Sequence, residues 1–186
     1  MKKLLALTTA ALAVVSFVAP SAQATRLDNQ FFTAGVSLGS YPAKDYYYED
    51  KSVVNVGVFG EYHYRLLSDY GWYAGAELNA AWGKNSDYKV SSYVAELKTK
   101  YFFENSSRVT PYVGLGLGYG KFRAKLGDGE TLSDAGLTYS IQGGILINNF
   151  VDVGLQIRGF DVSKSNDTVS FENGASNVSI YVGFKF

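Results

Sequence analysis

Cysteine is missing from this chain, proline occurs only three times and histidine once. Without thiols there is no disulfide framework, so the fold must hold by packing and hydrogen bonding alone. Scarce proline, with 20 glycines, fifteen tyrosines and twelve phenylalanines, favours strands and tight turns over helices. Surplus charge is missing as well. Seventeen basic residues balance seventeen acidic ones, which gives no reason to expect nucleic acid as a partner. Past the first two dozen residues, no apolar run approaches the roughly 20 residues of a spanning helix.

Those first residues have their own pattern. Lys2 and Lys3 precede an apolar run from Leu4 to Val18, and then comes PSAQA, Pro20 to Ala24. A basic start, a short apolar middle and Ala22-Gln23-Ala24 predict an export signal over residues 1–24, cleaved before Thr25. The run is too short for a membrane anchor. Removing it leaves residues 25–186 as one domain, with 15 basic and 17 acidic residues, a net charge of −2.

From Phe31 onward the apolar period is two. Eight strands are expected: Phe31–Tyr41, Val53–Tyr64, Trp72–Trp82, Val90–Phe103, Pro111–Gly120, Leu137–Ile147, Val151–Phe160 and Asn177–Phe186. In PYVGLGLGYG, Val113, Leu115, Leu117 and Tyr119 alternate with four glycines. The connections after the second, fourth and sixth strands are short. Those after the first, third, fifth and seventh are polar and mostly longer, so an up-and-down arrangement gathers them at one end.

Alternation alone does not say which face is inside. The face opposite the apolar one carries Asn55, Glu61, His63, Glu77, Asn79, Glu96, Lys98, Lys100, Gln142, Gln156, Arg158 and Lys185 among many glycines. Bare glycines beside long charged side chains suit the taper of a narrow closed barrel. Glu61, Glu77 and Glu96 nearly balance Lys98, Lys100, Arg158 and Lys185, as a mutually paired interior requires. On the apolar face, Tyr62, Tyr64, Trp72, Trp82, Tyr101, Phe103, Tyr119 and Phe186 lie toward strand ends with aliphatic residues between them. Such aromatic girdles mark two membrane interfaces. The expected fold is all-β, an eight-stranded antiparallel up-and-down transmembrane β-barrel in the outer membrane of a Gram-negative cell. Arg158 is expected to pair with Glu77 or Glu96, and Lys98 with the other carboxylate.

The chain ends NVSIYVGFKF, with Val178, Ile180, Val182, Phe184 and Phe186 at alternate places. A closed barrel must zip its last strand onto its first, because an open edge does not persist in lipid. Ile180, Val182, Phe184 and Phe186 resemble the signal read by the barrel assembly machinery, which is therefore an expected partner beside outer-membrane lipid and lipopolysaccharide.

With PYVGLGLGYG and the C-terminal strand, the chain resembles the small outer-membrane β-barrel family that includes the transmembrane domain of outer-membrane protein A. Larger members continue into a peptidoglycan-binding domain; this sequence stops at the barrel, as single-domain Ail/OmpX-type barrels do. An eight-stranded barrel leaves room for side chains rather than for a wide channel, so the first expectation is a barrel plugged by its own side chains that acts structurally and at the cell surface. Some members are adhesins or serum-resistance factors, so a host-surface ligand held by the long loops is the alternative, and a narrow gated pore another. The resemblance also implies that an arginine–glutamate plug can switch partners.

No enzyme is expected and no cofactor. A nucleophile needs a positioned base, and the sole histidine, His63, is expected to point inward near the short turns. Oxygen-rich loop segments, Gly127–Glu130 and Ser165–Thr168, lack the spacing of a dedicated calcium loop, so no metal is expected. The run DYYYED, Asp45–Asp50, reads as an aromatic rim or an adhesive patch.

Overall fold

The computed structural model describes residues 27–43, 51–67, 70–86, 88–126, 131–161, 165–166, 169–170 and 175–186. Barrel strands run over Gln30–Ala43 (β1), Lys51–Arg65 (β2), Trp72–Lys84 (β3), Tyr88–Phe102 (β4), Val109–Leu126 (β5), Thr131–Ile147 (β6) and Val151–Phe160 (β7). A small ribbon follows, Ser165–Asn166 (β8) with Val169–Ser170 (β9), and Ala175–Lys185 (β10) completes the barrel. The closed order is β1-β10-β7-β6-β5-β4-β3-β2. Every neighbouring pair is antiparallel.

Closure satisfies every ladder, which is what a lipid environment demands of a sheet. The seam joins Thr33–Ser40 of β1 to Val178–Lys185 of β10. It continues one residue further, where Phe32 and Phe186 exchange backbone hydrogen bonds of 3.1 and 2.8 Å. The β6–β7 turn is Ile147-Asn148-Asn149-Phe150, closed by Phe150 N–H to Ile147 C=O at 3.0 Å. Asn148 and Asn149 both have positive φ, 52° and 56°. That is a type I′ turn, whose twist matches the flanking strands and which asparagine tolerates better than most residues.

The polar face points inward. All twelve of its residues, Asn55 through Lys185, are buried. The apolar face points outward, with Leu97 74% and Leu78 69% exposed. Tyr62, Tyr64, Trp72, Trp82, Tyr119 and Phe186 are likewise exposed.

Two expected strands are too short. β5 and β6 extend to Leu126 and back to Thr131 instead of stopping at Gly120 and resuming at Leu137. The reason is a reversal of polarity along one strand. Beyond Gly120, Phe122 and Ala124 turn inward and are buried, while Lys121, Arg123 and Lys125 turn outward and are exposed. Outside the membrane a strand keeps its inner packing but gains a wet outer face, so a charged stretch that reads as loop continues the ladder. For the same reason the β3–β4 and β5–β6 connections shrink to residues 85–87 and 127–130.

Candidate functional site

The interior is built in three layers. Toward the long-connection end, Tyr41, Val53, Val90, Val94, Phe122, Ala124, Phe160 and Ala175 form an apolar cluster. Toward the short turns, Leu27, Phe31, Phe59, Tyr73, Phe102, Tyr112, Leu146 and Tyr181 form another. The charges lie between them.

Their arrangement follows from register. Glu61 pairs with Glu77 and Glu77 with Glu96, so three carboxylates stand in one row across β2, β3 and β4. Like charges directly opposite repel, and cations offset them. Arg158, from β7 across the lumen, donates Nε to Glu96 Oε1 at 3.1 Å and Nη2 to Glu96 Oε2 at 3.3 Å. The same Nη2 donates to Glu77 Oε1. Lys98 Nζ lies 2.9 Å from Glu77 Oε2 and 3.0 Å from Glu96 Oε2, and donates to Ser140 Oγ at 2.9 Å. Ser140 in turn donates to Glu96 at 2.8 Å. Lys100 Nζ donates to Glu61 Oε2 at 2.6 Å, 4.0 Å from Asp152 Oδ2. Two cations thus hold Glu77 and Glu96 jointly, where the sequence suggested one each.

Room for these side chains comes from β5. Glu96, Lys98 and Lys100 stand in register with Gly118, Gly116 and Gly114. A Cβ at Gly116 would lie 2.9 Å from both Glu96 Oε2 and Lys98 Cδ, and one at Gly114 2.9 Å from Lys100 Cγ. A second row repeats the device: Tyr112, Gly144, Gly154 and Tyr181 are consecutive partners across β5, β6, β7 and β10. The two tyrosines lie over the two glycines and meet hydroxyl to hydroxyl. Tyr112 also donates to Asp152.

Lys185 stands apart from the central cluster. It bonds Asp28 Oδ2 and Asn149 Oδ1, each at 2.6 Å, at the short-turn mouth. Arg65 there clasps Glu104 at 2.5 Å and the Leu27 carbonyl at 2.7 Å, and so ties the residues before β1 across the opening. His63 is buried against the Phe31 ring, centroids 4.6 Å apart, with Nε2 3.4 Å from Glu61. Between the glutamate row and Tyr181 lies a void of about 10 Å³, space for roughly one water.

Sequence reasoning missed Asp152, Ser140 and the two inner aromatic layers. Asp152 sits between Val151 and Val153, and its inward direction was legible from the alternation of β7. Residues 1–24, Asp45–Asp50 and Gly127–Glu130 lie outside the described residues, as do 167–168 of the Ser165–Thr168 segment.

A family model for the outer membrane protein beta-barrel domain matches residues 9–186. A search of curated proteins gave no match. Among solved structures, the barrel is similar to the N-terminal β-barrel domain of Pseudomonas aeruginosa OprF, with 15% identity, 87% of this chain and 100% of that one covered, and a TM-score of 0.52. Ail, the attachment invasion locus protein of Yersinia pestis, gives 15% identity, 87% and 100% coverage, and a TM-score of 0.50. The outer membrane enzyme PagL gives 14% identity, 82% and 98% coverage, and a TM-score of 0.54. At such identities the likeness is one of fold.

Proposed function

The chain belongs to the outer membrane protein β-barrel domain family, and from that premise we propose that it is a sealed barrel acting structurally in the outer membrane and presenting its long connections at the cell surface. The observation that carries this reading is the interior. A paired charge layer between two apolar layers leaves a void of about 10 Å³ beside the glutamate row, and an eight-stranded barrel has room for side chains rather than a wide channel. The long-connection end faces outward and the mouth closed by Lys185 and Arg65 faces the periplasm. Residues 1–24 are read as the export signal and 25–186 as the barrel domain.

A non-enzymatic role accords with the burial of His63, the sole histidine, beneath Phe31 at the short-turn end, away from lipid and from the surface. Planar-bilayer recording tests the central claim. The reconstituted barrel is expected to give no resting conductance, and a steady open channel would overturn the sealed reading. Amino-terminal sequencing of the membrane form is expected to begin at Thr25.

A further inference from the structure

One of the short turns is apolar where the other two are polar. Between β2 and β3 the chain reads Leu66-Leu67-Ser68-Asp69-Tyr70-Gly71. Leu66, Leu67 and Tyr70 are each more than half exposed; residues 68–69, with the turn's acidic residue, lie outside the described residues. In the β4–β5 turn, past Phe103, the exposed residues are Ser106, Ser107 and Arg108. In the β6–β7 turn they are Asn148, Asn149 and Phe150, and the Phe150 ring lies against Phe184, centroids 5.5 Å apart.

Depth follows from the tryptophans. Trp72 and Trp82 stand outward at the two ends of β3. Ten residues separate them, and at roughly 3.3 Å per residue and a tilt of about 40° that is about 25 Å, the height of a lipid-facing apolar band. Leu66 N–H donates to Trp72 C=O at 2.9 Å, so Leu66 stands level with the tryptophan nearer the turn and continues the exposed column of Tyr62 and Tyr64. Beside it Trp72, Tyr101 and Phe103 stack, with centroids 5.0 and 4.9 Å apart. Leu67 and Tyr70 close the turn, Tyr70 N–H to Leu67 C=O at 3.4 Å, about one residue or roughly 3 Å farther out. The polar interface of a bilayer is about 5–7 Å thick on each side, so both side chains fall inside it.

The backbone of this turn is met from within the protein. Arg65 Nη1 donates to the Tyr70 carbonyl at 3.1 Å, and the Gly71 carbonyl accepts from Phe102 N–H at 2.8 Å. A turn whose carbonyls are bonded by protein can leave water without stranding them.

We infer that the β2–β3 turn is an anchor in the phospholipid interface at the short-turn end, with Leu66, Leu67 and Tyr70 among the headgroups and first acyl carbons, and that it fixes the depth at which this side of the barrel sits. Continuity with the lipid-facing wall selects lipid rather than protein as the partner. That the leaflet is the inner one rests on the placement of the short-turn mouth toward the periplasm proposed above.

The chain has no cysteine, so a single introduced one reports one position. Leu67→Cys, Ser106→Cys, Asn149→Cys and Leu97→Cys, each carrying a nitroxide, are compared in phosphatidylcholine nanodiscs by collision with oxygen, which concentrates in lipid, and with a nickel chelate, which stays in water. Heat-dependent migration checks each fold. The label at 67 is expected to favour oxygen, as the one at 97 in the wall does, and the labels at 106 and 149 to favour nickel. For depth, Trp82→Phe leaves Trp72 as the one tryptophan, read by quenching with lipids brominated along the acyl chain. Adding Leu66→Ser/Leu67→Ser/Tyr70→Ser, with the heat shift kept, is expected to move Trp72 toward the headgroups and to raise its quenching by acrylamide. A nickel-favouring label at 67, or an unmoved Trp72 in the serine variant, would overturn the proposal. Labelling of Asn149→Cys on intact cells by a bulky impermeant maleimide would instead count against the placement of the short-turn end, and a nickel-favouring label at 97 against the lipid-facing wall itself.

Discussion

Arg158 on β7 reaches across the lumen to Glu96 on β4, Nε to Oε1 3.1 Å, and the same guanidinium holds Glu77. No strand neighbour joins these residues, so the contact is a strut across the barrel. Removing one partner of an enclosed ion pair costs roughly 3–5 kcal/mol. Arg158→Ala leaves Lys98 as the one cation touching Glu77 and Glu96 among the described residues, and is expected to lower the urea midpoint of the folded band by a corresponding amount. Adding Glu77→Gln removes one stranded charge and is expected to recover part of the loss. No shift in either variant would mean that the strut contributes nothing.

Because Arg158 and Lys98 both touch both carboxylates, loosening one strut gives the remaining cation two equivalent seats. Arg158→Ala is accordingly expected to show brief conductance steps in planar bilayers where the wild type is silent. A silent variant would assign the seal to the aromatic layers instead.

The tyrosine pair offers a test that leaves the charges untouched. A Cβ at Gly144 would lie 2.6 Å from the Tyr112 hydroxyl and 2.5 Å from the Val153 carbonyl. Gly144→Val is expected to unseat Tyr112 and cost about 1–3 kcal/mol as overpacking. Tyr112→Phe keeps the ring but takes a donor from Asp152, at a cost of about 1–3 kcal/mol for a buried acceptor left unmet. Equilibrium unfolding in urea separates these from wild type. An unchanged midpoint for Gly144→Val would show that the seat is not tight.

Much of this was legible in the chain because a membrane inverts the usual burial rule so consistently. Glycine alternating with Leu115 and Leu117 pointed to a crowded interior, and Glu77, Glu96 and Arg158 fell on the same side as those glycines. Two things were hidden. An inward Phe59 or Tyr112 is the same residue type as an outward Tyr62 or Tyr119, so aromatics alone reveal no inner layers until parity is fixed strand by strand. Likewise Phe122 and Ala124 reverse the polarity of β5 where it leaves the lipid, and a period read against a single apolar face stops there. Which charges meet depends on stagger between distant strands, and that is a property of closure.

Lipid-facing exposure predicts heat-dependent migration. With every barrel ladder paired and the seam closed between β1 and β10, the folded barrel is expected to resist SDS until boiled and then to migrate differently. One band at the same position before and after boiling would deny the closed seam.

The last residue separates assembly from stability. Phe186 bonds to Phe32 through its backbone, N–H to C=O in both directions, while its ring is 73% exposed toward lipid. Phe186→Ala therefore keeps both seam bonds and removes a ring with little protein packing, so the purified, refolded variant is expected to stay within about 1 kcal/mol of wild type, as surface changes usually do. In cells the outcome should differ. If the assembly machinery reads Ile180, Val182, Phe184 and Phe186, the same variant is expected to reach the outer membrane at a fraction of the wild-type level, most visibly under strong expression. Deleting Phe186 removes the backbone partner as well and leaves the Phe32 N–H and C=O without mates at the seam's end, which lipid penalises; that variant is expected to lose on both counts. Membrane level and urea midpoint, measured for both variants, decide the matter. Normal levels for Phe186→Ala would sink the signal role, and an equally depressed midpoint for both variants would place the effect in the finished barrel.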